Sequence, residues 1–294
     1  MEDATQTFLK SLPQLAPGES FWFACHPDVP CFNACCADLT MPLTPYDVLR
    51  LCCGLNMGSE QFFEEFSRVG CYEDTGFPLL HLRMEDTPGR PCPFVTEHGC
   101  GVYAHRSSAC RTYPLGRAAC RAERVEEAAE SGGCGTCGRV PNGTTAGSHP
   151  VILEERYFLV REEHCQGFAE SGKWTVESWL EDQGMEHYNH MNDRYMRLLA
   201  RYKERAGGAR LSGKHATMAL LCLYQQDRFL EFLQSMRIFS RILITGDYGG
   251  VTGTEAVDLI LRNAEQRLRF AFDWVELLLV GASDNLTPVG MPAG

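Results

Sequence analysis

The sequence predicts an α+β fold in which a cysteine-rich metal-binding domain with a small antiparallel sheet precedes a C-terminal helical region. Two observations support this prediction. Up to residue 170, short apolar runs bounded by turn residues alternate with clustered cysteines, which is typical of short strands and metal-binding loops. From residue 171 onward, apolar residues recur at helical spacing instead. With 294 residues, 44% of them hydrophobic, the chain can bury a sizeable core.

The first elements surround the first cysteine cluster. Residues 1–20 are predicted to form a weakly structured arm, and residues 21–42, which prolines interrupt, an irregular loop. A helix is predicted after Thr44, because Pro45 suits the first helical position and Asp47 occupies the acidic position of a capping box. Its apolar face comprises Val48, Leu51, Cys52 and Leu55.

Short strands are predicted around the second cysteine cluster. Residues 78–84 fit a strand, and residues 93–95 and 101–103 fit the two arms of a hairpin. Residues 104–112 are predicted to form one or two helical turns, because a proline two residues later disfavours helix continuation. Residues 117–149 begin charged and become rich in Gly, Ser and Thr, which indicates an insertion or a mobile loop.

The second half of the chain is predicted to be mainly helical. Residues 151–160 form the last predicted strand, which ends close to Cys165. Thr252 and Glu255 have the spacing of a capping box at the start of the final helix. The predicted helices span 175–183, 187–205, 214–239 and 254–281. The predicted organisation is an arm at 1–20, a cysteine-rich domain at 21–170, a helical region at 171–284 and a disordered tail at 285–294.

Net charge and hydropathy limit the classes of binding partner and the cellular compartment that we expect for this protein. The formal net charge of −11 argues against nucleic acid or an anionic membrane as the main partner, because phosphate binding needs clustered Lys and Arg. The chain has no run approaching 18 apolar residues and no secretory signal, so we expect a cytoplasmic protein with free thiols. A local set of arginines is interpreted as a solvated surface rather than a binding patch: Arg106, Arg111, Arg117, Arg121 and Arg124.

Clustered cysteines carry the most concentrated chemistry in the sequence. The chain has 15 cysteines, an odd number, and in a reducing compartment their clustering favours metal ligation over disulfides. Sulfur ligands select zinc or iron–sulfur clusters over magnesium or calcium. The candidate metal ligands are Cys25, Cys31, Cys35, Cys36, Cys92, Cys100, Cys110 and Cys165. Eight ligands allow two four-ligand sites, or one site of four with the remaining cysteines structural.

The neighbours Cys35 and Cys36 constrain the site. On a strand their side chains point to opposite faces, so both reach one centre only from an irregular loop. They more easily serve a polynuclear cluster or two adjacent centres, and with the surplus of sulfurs this favours iron–sulfur over zinc. The spacing matches neither a zinc finger nor the common ferredoxin patterns.

The cysteine spacing also resembles a known family. The pattern C-x5-C-x3-CC precedes LTPYDVLRL, and C-x7-C-x9-C follows within a segment that contains CGVYAHRSSACRTYPLG, with HCQGF around Cys165. Over residues 21–170 this resembles the bacterial CxxCxxCC family of zinc- or iron-chelating domains. The resemblance implies that the eight cysteines are the chelating set. The first-cluster spacing is longer than the family name indicates, and Ser107 stands where a proline is common.

The remaining cysteines and the histidines are weaker candidates. Cys134 and Cys137 form a knuckle-like CGTCG that could hold half a zinc site, for which Cys120 and His149 are the nearby options as the other half, although a mobile loop with exposed thiols is favoured. Other cysteines are expected to be structural, with the first two in the core: Cys52, Cys222, Cys53 and Cys71. Histidines beside the ligands or three residues apart on one helix are expected to be second-sphere or solvated: His26, His164, His187 and His190.

The predicted function is chelation of zinc or iron, which includes an iron–sulfur cluster as one form. One alternative is an iron–sulfur-dependent protein lysine N-methyltransferase similar to flagellin lysine N-methylases, although no methyl-donor motif is found. Another is a structural-zinc protein that binds a protein partner. The chain has no GxSxG or P-loop motif, and its Gly-rich GDYGGVTG fits a helix-capping loop. Arg106 and Arg111 are expected to donate hydrogen bonds to ligand sulfurs.

Overall fold

Helix α1 (Pro45–Leu55) begins at the capping box that the sequence predicts. The Thr44 hydroxyl accepts a hydrogen bond from the Asp47 N–H at 3.2 Å, and the Asp47 carboxylate accepts one from the Thr44 N–H at 3.0 Å. Asn56 ends the helix in the left-handed conformation, at φ 50°. This computed structural model describes residues 12–121 and 153–289 and has the predicted α+β class.

Three short strands form the sheet beside α1. Helix α2 (Ser59–Phe66) leads into β3 (Ser67–Cys71), which the sequence did not predict. The predicted strand at 78–84 is β4 (Pro78–Leu82), and it lies between β3 and β2 (Pro42–Leu43) with antiparallel pairing on both sides.

The predicted hairpin at 93–103 is tighter than expected. Its strands are β5 (Val95–Thr96) and β6 (Gly99–Cys100), with Val95 opposite Cys100. Gly99 follows the two-residue turn at φ 113°, a conformation that favours glycine. The two strands therefore directly flank the turn, whereas the prediction placed them further out, at residues 93–95 and 101–103.

Two further strand pairs join distant parts of the chain. Strand β1 (Ser20–Trp22) pairs with β9 (Lys173–Thr175), and β7 (Leu115–Arg121) pairs with β8 (Leu153–Leu159), both antiparallel. The prediction of an insertion or loop over 117–149 is therefore wrong at 117–121, because these residues extend a ladder whose partner is more than 30 residues away.

Helices make up most of the second half, as predicted, but two predicted helices are each divided. They are α4 (Val176–Asp182), α5 (Met185–Ala206), α6 (Gly213–Tyr224), α7 (Gln226–Ser235), α8 (Gly253–Arg262) and α9 (Ala264–Val280). Gln225, at φ −111° and ψ 67°, separates α6 from α7. Asn263 separates α8 from α9, and its side chain accepts hydrogen bonds from the Glu265 and Gln266 N–H groups. At α8, the Thr252 side chain makes no capping hydrogen bond, so that predicted box is wrong.

The end of the described chain is also ordered into a strand. Strand β11 (Leu286–Pro288) pairs with β10 (Ile242–Ile244), and Leu286 is 2% exposed. The prediction of a disordered tail over 285–294 is therefore wrong for residues 285–289, because a buried leucine and a strand partner hold them. In the described parts of the chain, no helix combines the length and apolar character that crossing a membrane requires.

The helices and the cysteine-rich part share one hydrophobic core. Leu43 and Leu80 of the three-stranded sheet are fully buried in the same cluster as Tyr195, Tyr224 and Phe229 of the helical region. The Tyr224 hydroxyl lies 3.3 Å from the Leu43 carbonyl oxygen and 3.3 Å from the Tyr195 hydroxyl. A second, smaller cluster comprises Leu15, Phe21, Phe23, Leu115, Tyr157, Leu159, Val176 and Trp179. The cysteine-bearing loops are therefore supported by two rigid cores.

Candidate metal centre

The first cysteine cluster lies on an irregular loop between β1 and β2, as its prolines predict. Consecutive turns shape the loop, because the Ala34 N–H donates to the Cys31 carbonyl at 2.9 Å and the Cys36 N–H donates to the Asn33 carbonyl at 3.0 Å. Asn33 has φ 68°, in the left-handed region. This backbone brings the side chains of the adjacent Cys35 and Cys36 into contact with each other, while each also has other neighbours.

The second cluster is fastened directly to the first. The Cys92 N–H donates to the Cys36 carbonyl at 2.8 Å, and the Asn33 side-chain amide donates to the Thr96 carbonyl at 3.0 Å. The Val95 N–H donates to the Cys92 carbonyl at 3.1 Å, and Val95 pairs with Cys100 across the hairpin. Cys36, Cys92 and Cys100 are thus brought together through the backbone.

Cys110 is placed by a buried carboxylate. It lies on the short helix α3 (Ser108–Thr112), whose first residue donates from its N–H (2.7 Å) and its hydroxyl (3.0 Å) to the Asp47 carboxylate. Asp47 is 1% exposed, and its burial raises the pKa of the carboxyl, while these hydrogen bonds oppose that shift. The sequence indicated only the capping role of Asp47, because the link to Ser108 joins residues 61 positions apart.

Cys165 lies beside the first cluster, although it is 129 residues beyond Cys36 in the sequence. The N–H of Gln166 donates to the Cys31 sulfur at 3.1 Å. One residue further, the Gly167 carbonyl accepts from the Ala24 N–H at 3.0 Å. The strand pair β1–β9 holds this crossing in register.

Gly167 is a close-packed point of that crossing, and its replacement by alanine is the first prediction. A Cβ atom at Gly167 would lie 2.6 Å from the Ala24 carbonyl oxygen and 2.8 Å from the Phe23 ring. We expect Gly167→Ala to lower the free energy of unfolding by about 2 kcal/mol, because backbone and a packed ring must both shift. Urea denaturation followed by circular dichroism measures this change.

The matched control is Gly213→Ala. A Cβ atom at Gly213 meets nothing within 4 Å, so the same substitution is expected to change the unfolding free energy by no more than about 0.5 kcal/mol. Equal destabilisation by the two variants would contradict the close contact at Gly167.

The electrostatic neighbours divide the eight thiols into two groups. We define the first thiol group as Cys25, Cys31, Cys35 and Cys165, and the second thiol group as Cys36, Cys92, Cys100 and Cys110. Burial raises the pKa of Cys25 to about 11, and the neighbouring thiols of its own group add to the increase. Burial likewise raises the pKa of Cys110 to about 11, with Cys92 and Cys100 adding to it although part of the residue remains open to solvent.

Cys35 and Cys36 join the two groups as a hydrogen-bonded pair. The hydrogen bond from Cys36 lowers the pKa of Cys35 to about 6, while donation of that hydrogen bond raises the pKa of Cys36. Cys36 is therefore the donor and Cys35 the thiolate at neutral pH. A thiolate is the form that binds metals and reacts with electrophiles.

Selective alkylation of Cys35 in the metal-free, reduced protein is the second prediction. Because its pKa is about 6, Cys35 is a thiolate at pH 7, and we expect brief iodoacetamide treatment to modify it before the other thiols of both groups. The rate is expected to fall as the pH drops below about 6, since protonation removes the nucleophile. Peptide mass spectrometry reads the order of modification.

Cys36→Ala supplies the control for this labelling. The variant removes the hydrogen-bond donor that stabilises the Cys35 thiolate, so Cys35 should then react at pH 7 several-fold more slowly. Labelling of Cys35 that is unaffected by this substitution would contradict the donor assignment.

The thiols are near one another without forming a closed site. Within residues 12–121 and 153–289, no three His, Cys, Asp or Glu side chains are arranged to hold a metal ion. The donor set itself fits thiophilic metals: eight thiols, each partly or largely open to solvent, on loops that hydrogen bonds tie together.

The arginines near the thiols form hydrogen bonds to other acceptors, not to the sulfurs. Arg106 donates to the Tyr103 carbonyl at 2.6 Å and to the Gln183 side chain, and Arg111 donates to the Gln183 and Ala104 carbonyls. The prediction of direct donation to sulfur is therefore not supported, although Arg106 lies within electrostatic reach of Cys25, Cys100 and Cys110.

The interpretation of the arginines as a solvated surface is wrong for two of them. Arg106 is 9% exposed, and Arg117 pairs with both Glu155 and Asp193 at 2.6 Å with 12% of its side chain exposed. The side chains of Arg121 and Arg124 lie outside the described residues. The sequence could not predict this burial because the ion-pair partners come from β8 and α5.

Tyr113 is a neighbour of the thiols that the sequence did not indicate as functional. Its hydroxyl is buried and has no nitrogen or oxygen partner among the described residues. Burial raises the pKa of Tyr113, and the adjacent Cys165 thiol raises it further. A protonated hydroxyl therefore lies beside a sulfur of the first thiol group.

The remaining candidate cysteines and histidines lie in different environments. Cys52 and Cys222 are buried, as expected, whereas Cys53 and Cys71 are exposed. His164 acts electrostatically on Cys35, while three other histidines lie close to carboxylates or another histidine: His26 near Glu170, His187 near Glu265, and His190 stacked on His187. The proposed knuckle at Cys134 and Cys137 lies outside the described residues, as do His149 and the side chain of Cys120.

A comparison with models of protein families gives a match. The model of a family named CxxCxxCC, described as "Putative zinc- or iron-chelating domain", matches residues 24–166. This span begins one residue before Cys25 and ends one residue after Cys165, so it contains all eight thiols. No curated protein and no solved structure matches the chain.

Proposed function

We propose that this protein binds zinc or iron through the eight thiols of the two groups, and the match of residues 24–166 to the CxxCxxCC family model supports this. The convergence of loop segments far apart in the sequence carries the proposal. Cys31 lies beside Cys165, and Cys36 beside Cys92, through hydrogen bonds between residues more than 50 positions apart. A purely structural role for free thiols would not require them to gather in partly exposed loops.

The residues that would hold the metal are the four members of each thiol group. Bound zinc would fix the loops as a structural ion, whereas an iron–sulfur cluster would add electron transfer. Hydrogen bonds within the chain hold the loops together. The Cys35 thiolate would bind the metal first, and the Tyr113 hydroxyl beside Cys165 would donate a hydrogen bond to that sulfur. The neighbouring Cys35 and Cys36 and the number of thiols favour an iron–sulfur cluster over zinc.

Anaerobic purification followed by metal analysis and a visible spectrum tests the proposal. An iron–sulfur cluster would give a brown protein with iron and acid-labile sulfide, and zinc a colourless protein with stoichiometric zinc. Cys36→Ser is expected to reduce the bound metal, whereas Cys71→Ser, at an exposed cysteine outside both groups, is expected to leave it unchanged. A protein that retains neither metal under anaerobic conditions would disprove chelation.

The methyltransferase alternative gains no support from the cavities. A cavity of about 270 Å³ lies between α1, α2 and α7 and is lined by residues that include Cys53, Gln226 and Asp227. This volume is below the range typical of ligand pockets, and none of the eight thiols lines it. Calorimetric titration with S-adenosylmethionine would detect a methyl-donor site. The free thiols fit a reducing compartment, which supports a cytoplasmic location as part of the proposal.

A further inference from the structure

We propose that the eight thiols form two separate four-thiolate centres that meet at the Cys35–Cys36 peptide bond. The first thiol group would hold one metal ion or cluster, and the second thiol group another. The inference rests on the proposed function and deepens it, since it assigns each ligand to a centre. The spacing of the cysteines left this division open.

The first centre is defined by the crossing between the first loop and the segment after β8. The Gln166 N–H donates to the Cys31 sulfur, so the residue after Cys165 already touches a second member of the group. The Ala24–Gly167 hydrogen bond sets Cys25 opposite the same turn. Cys25 is under the electrostatic influence of Cys31, Cys35 and Cys165, the other three members.

The second centre is defined by the hairpin and α3. Backbone hydrogen bonds connect Cys36 to Cys92, and Cys92 to Val95, which pairs with Cys100. Cys110 completes this group from α3, where the Ser107 hydroxyl accepts from the Cys110 N–H and the Asp47 carboxylate accepts from the Ser108 N–H. Cys92 acts electrostatically on both Cys36 and Cys110. The main contact of either residue with the first thiol group is that of Cys36 with Cys35.

Cys35 and Cys36 contact each other, and beyond that contact their neighbours differ. Cys35 is influenced by His164 and Glu162, which flank the first centre, whereas Cys36 is influenced by Cys92 and Cys110 of the second. The backbone of Cys36 is also connected to the second thiol group, since its carbonyl accepts a hydrogen bond from the Cys92 N–H. Each set supplies four sulfurs, the number that a tetrahedral zinc ion or a cuboidal iron–sulfur cluster takes. The alternative is one joint cluster with shared thiolates.

Paired serine substitutions distinguish two centres from one. The pair Cys35→Ser with Cys165→Ser removes two ligands of the first group, and we expect the purified protein to keep half of the native zinc or iron. The pair Cys35→Ser with Cys36→Ser removes one ligand from each group and is expected to lose nearly all of it. The control, Cys53→Ser with Cys71→Ser, lies outside both groups and should retain the native amount.

Equal metal loss in the two pairs would overturn the division into two centres, as would complete loss on removing Cys165 alone. A measurement on the unsubstituted chain guards against variants that fail to fold: titration of the metal-free protein with Co²⁺ should saturate at two equivalents with four-thiolate spectra. Saturation at one equivalent would refute two centres while leaving chelation intact. Absence of any Co²⁺ binding would refute the proposed function instead.

Discussion

Removal of the metal is expected to make residues 24–38 open far more often while the helical core persists, although the closed loop, in which Cys36 contacts Cys35, stays populated. In this segment Val29 is the one buried residue, and besides single turns a few backbone hydrogen bonds connect it to Arg90, Cys92 and Gly167. So little buried apolar surface offsets only part of the entropy of ordering about 15 residues. Thiolate coordination of zinc contributes on the order of 10 kcal/mol per site, which is ample. Hydrogen exchange before and after anaerobic chelation should show loss of protection in this segment.

Helices α5 and α9 provide the internal control for that experiment. They belong to the core that includes Tyr195, Phe270 and Phe272, and of the eight thiols it is Cys92 and Cys100, outside residues 24–38, that pack against this core. Their amides are expected to exchange at the same rate with and without metal, and far-UV circular dichroism to change little. Protection of residues 24–38 that survives complete metal removal would show that the loop is stable by itself.

The sequence was sufficient where local patterns determine structure. The capping box at Thr44 and Asp47 predicts the start of α1 correctly, because all of its atoms lie within one turn. The helical class of the second half follows from apolar periodicity alone. Two predicted helices were nevertheless too long, since Gln225 and Asn263 do not carry the Gly or Pro signals that usually mark a break.

The sequence was insufficient where distant segments meet. Strand β1 pairs with β9 some 150 residues away, and each strand is three residues long, so neither has a recognisable pattern of its own. The division of the thiols depends on the same long-range contacts. Cysteine spacing placed the eight candidates near one another in two clusters, but only the contact between Gln166 and Cys31 assigns Cys165 to a particular neighbour.

Replacing Asp47 by alanine is expected to destabilise the protein strongly and to remove metal from one centre. The carboxylate accepts three hydrogen bonds, from the Ser108 N–H and hydroxyl and from the Thr44 N–H. Each buried group left unpaired costs about 1–3 kcal/mol, so we expect a loss of about 4 kcal/mol in unfolding free energy. Because α3 loses its anchor, Cys110 is displaced and half of the bound metal should be lost. Urea denaturation and metal analysis measure the two effects.

Two further variants separate anchoring from general destabilisation. Asp47→Asn keeps one carbonyl oxygen as acceptor and is expected to cost about half as much. Asp273→Ala removes the buried partner of Arg194, Tyr248 and Asn285 in the helical region and should cost about 3–5 kcal/mol, because it leaves a buried charge unpaired. Since Asp273 lies on α9, away from both thiol groups, its loss should leave the metal content unchanged. Equal metal loss in Asp47→Ala and Asp273→Ala would mean that metal retention follows overall stability, whereas loss confined to Asp47→Ala assigns this carboxylate to the positioning of Cys110.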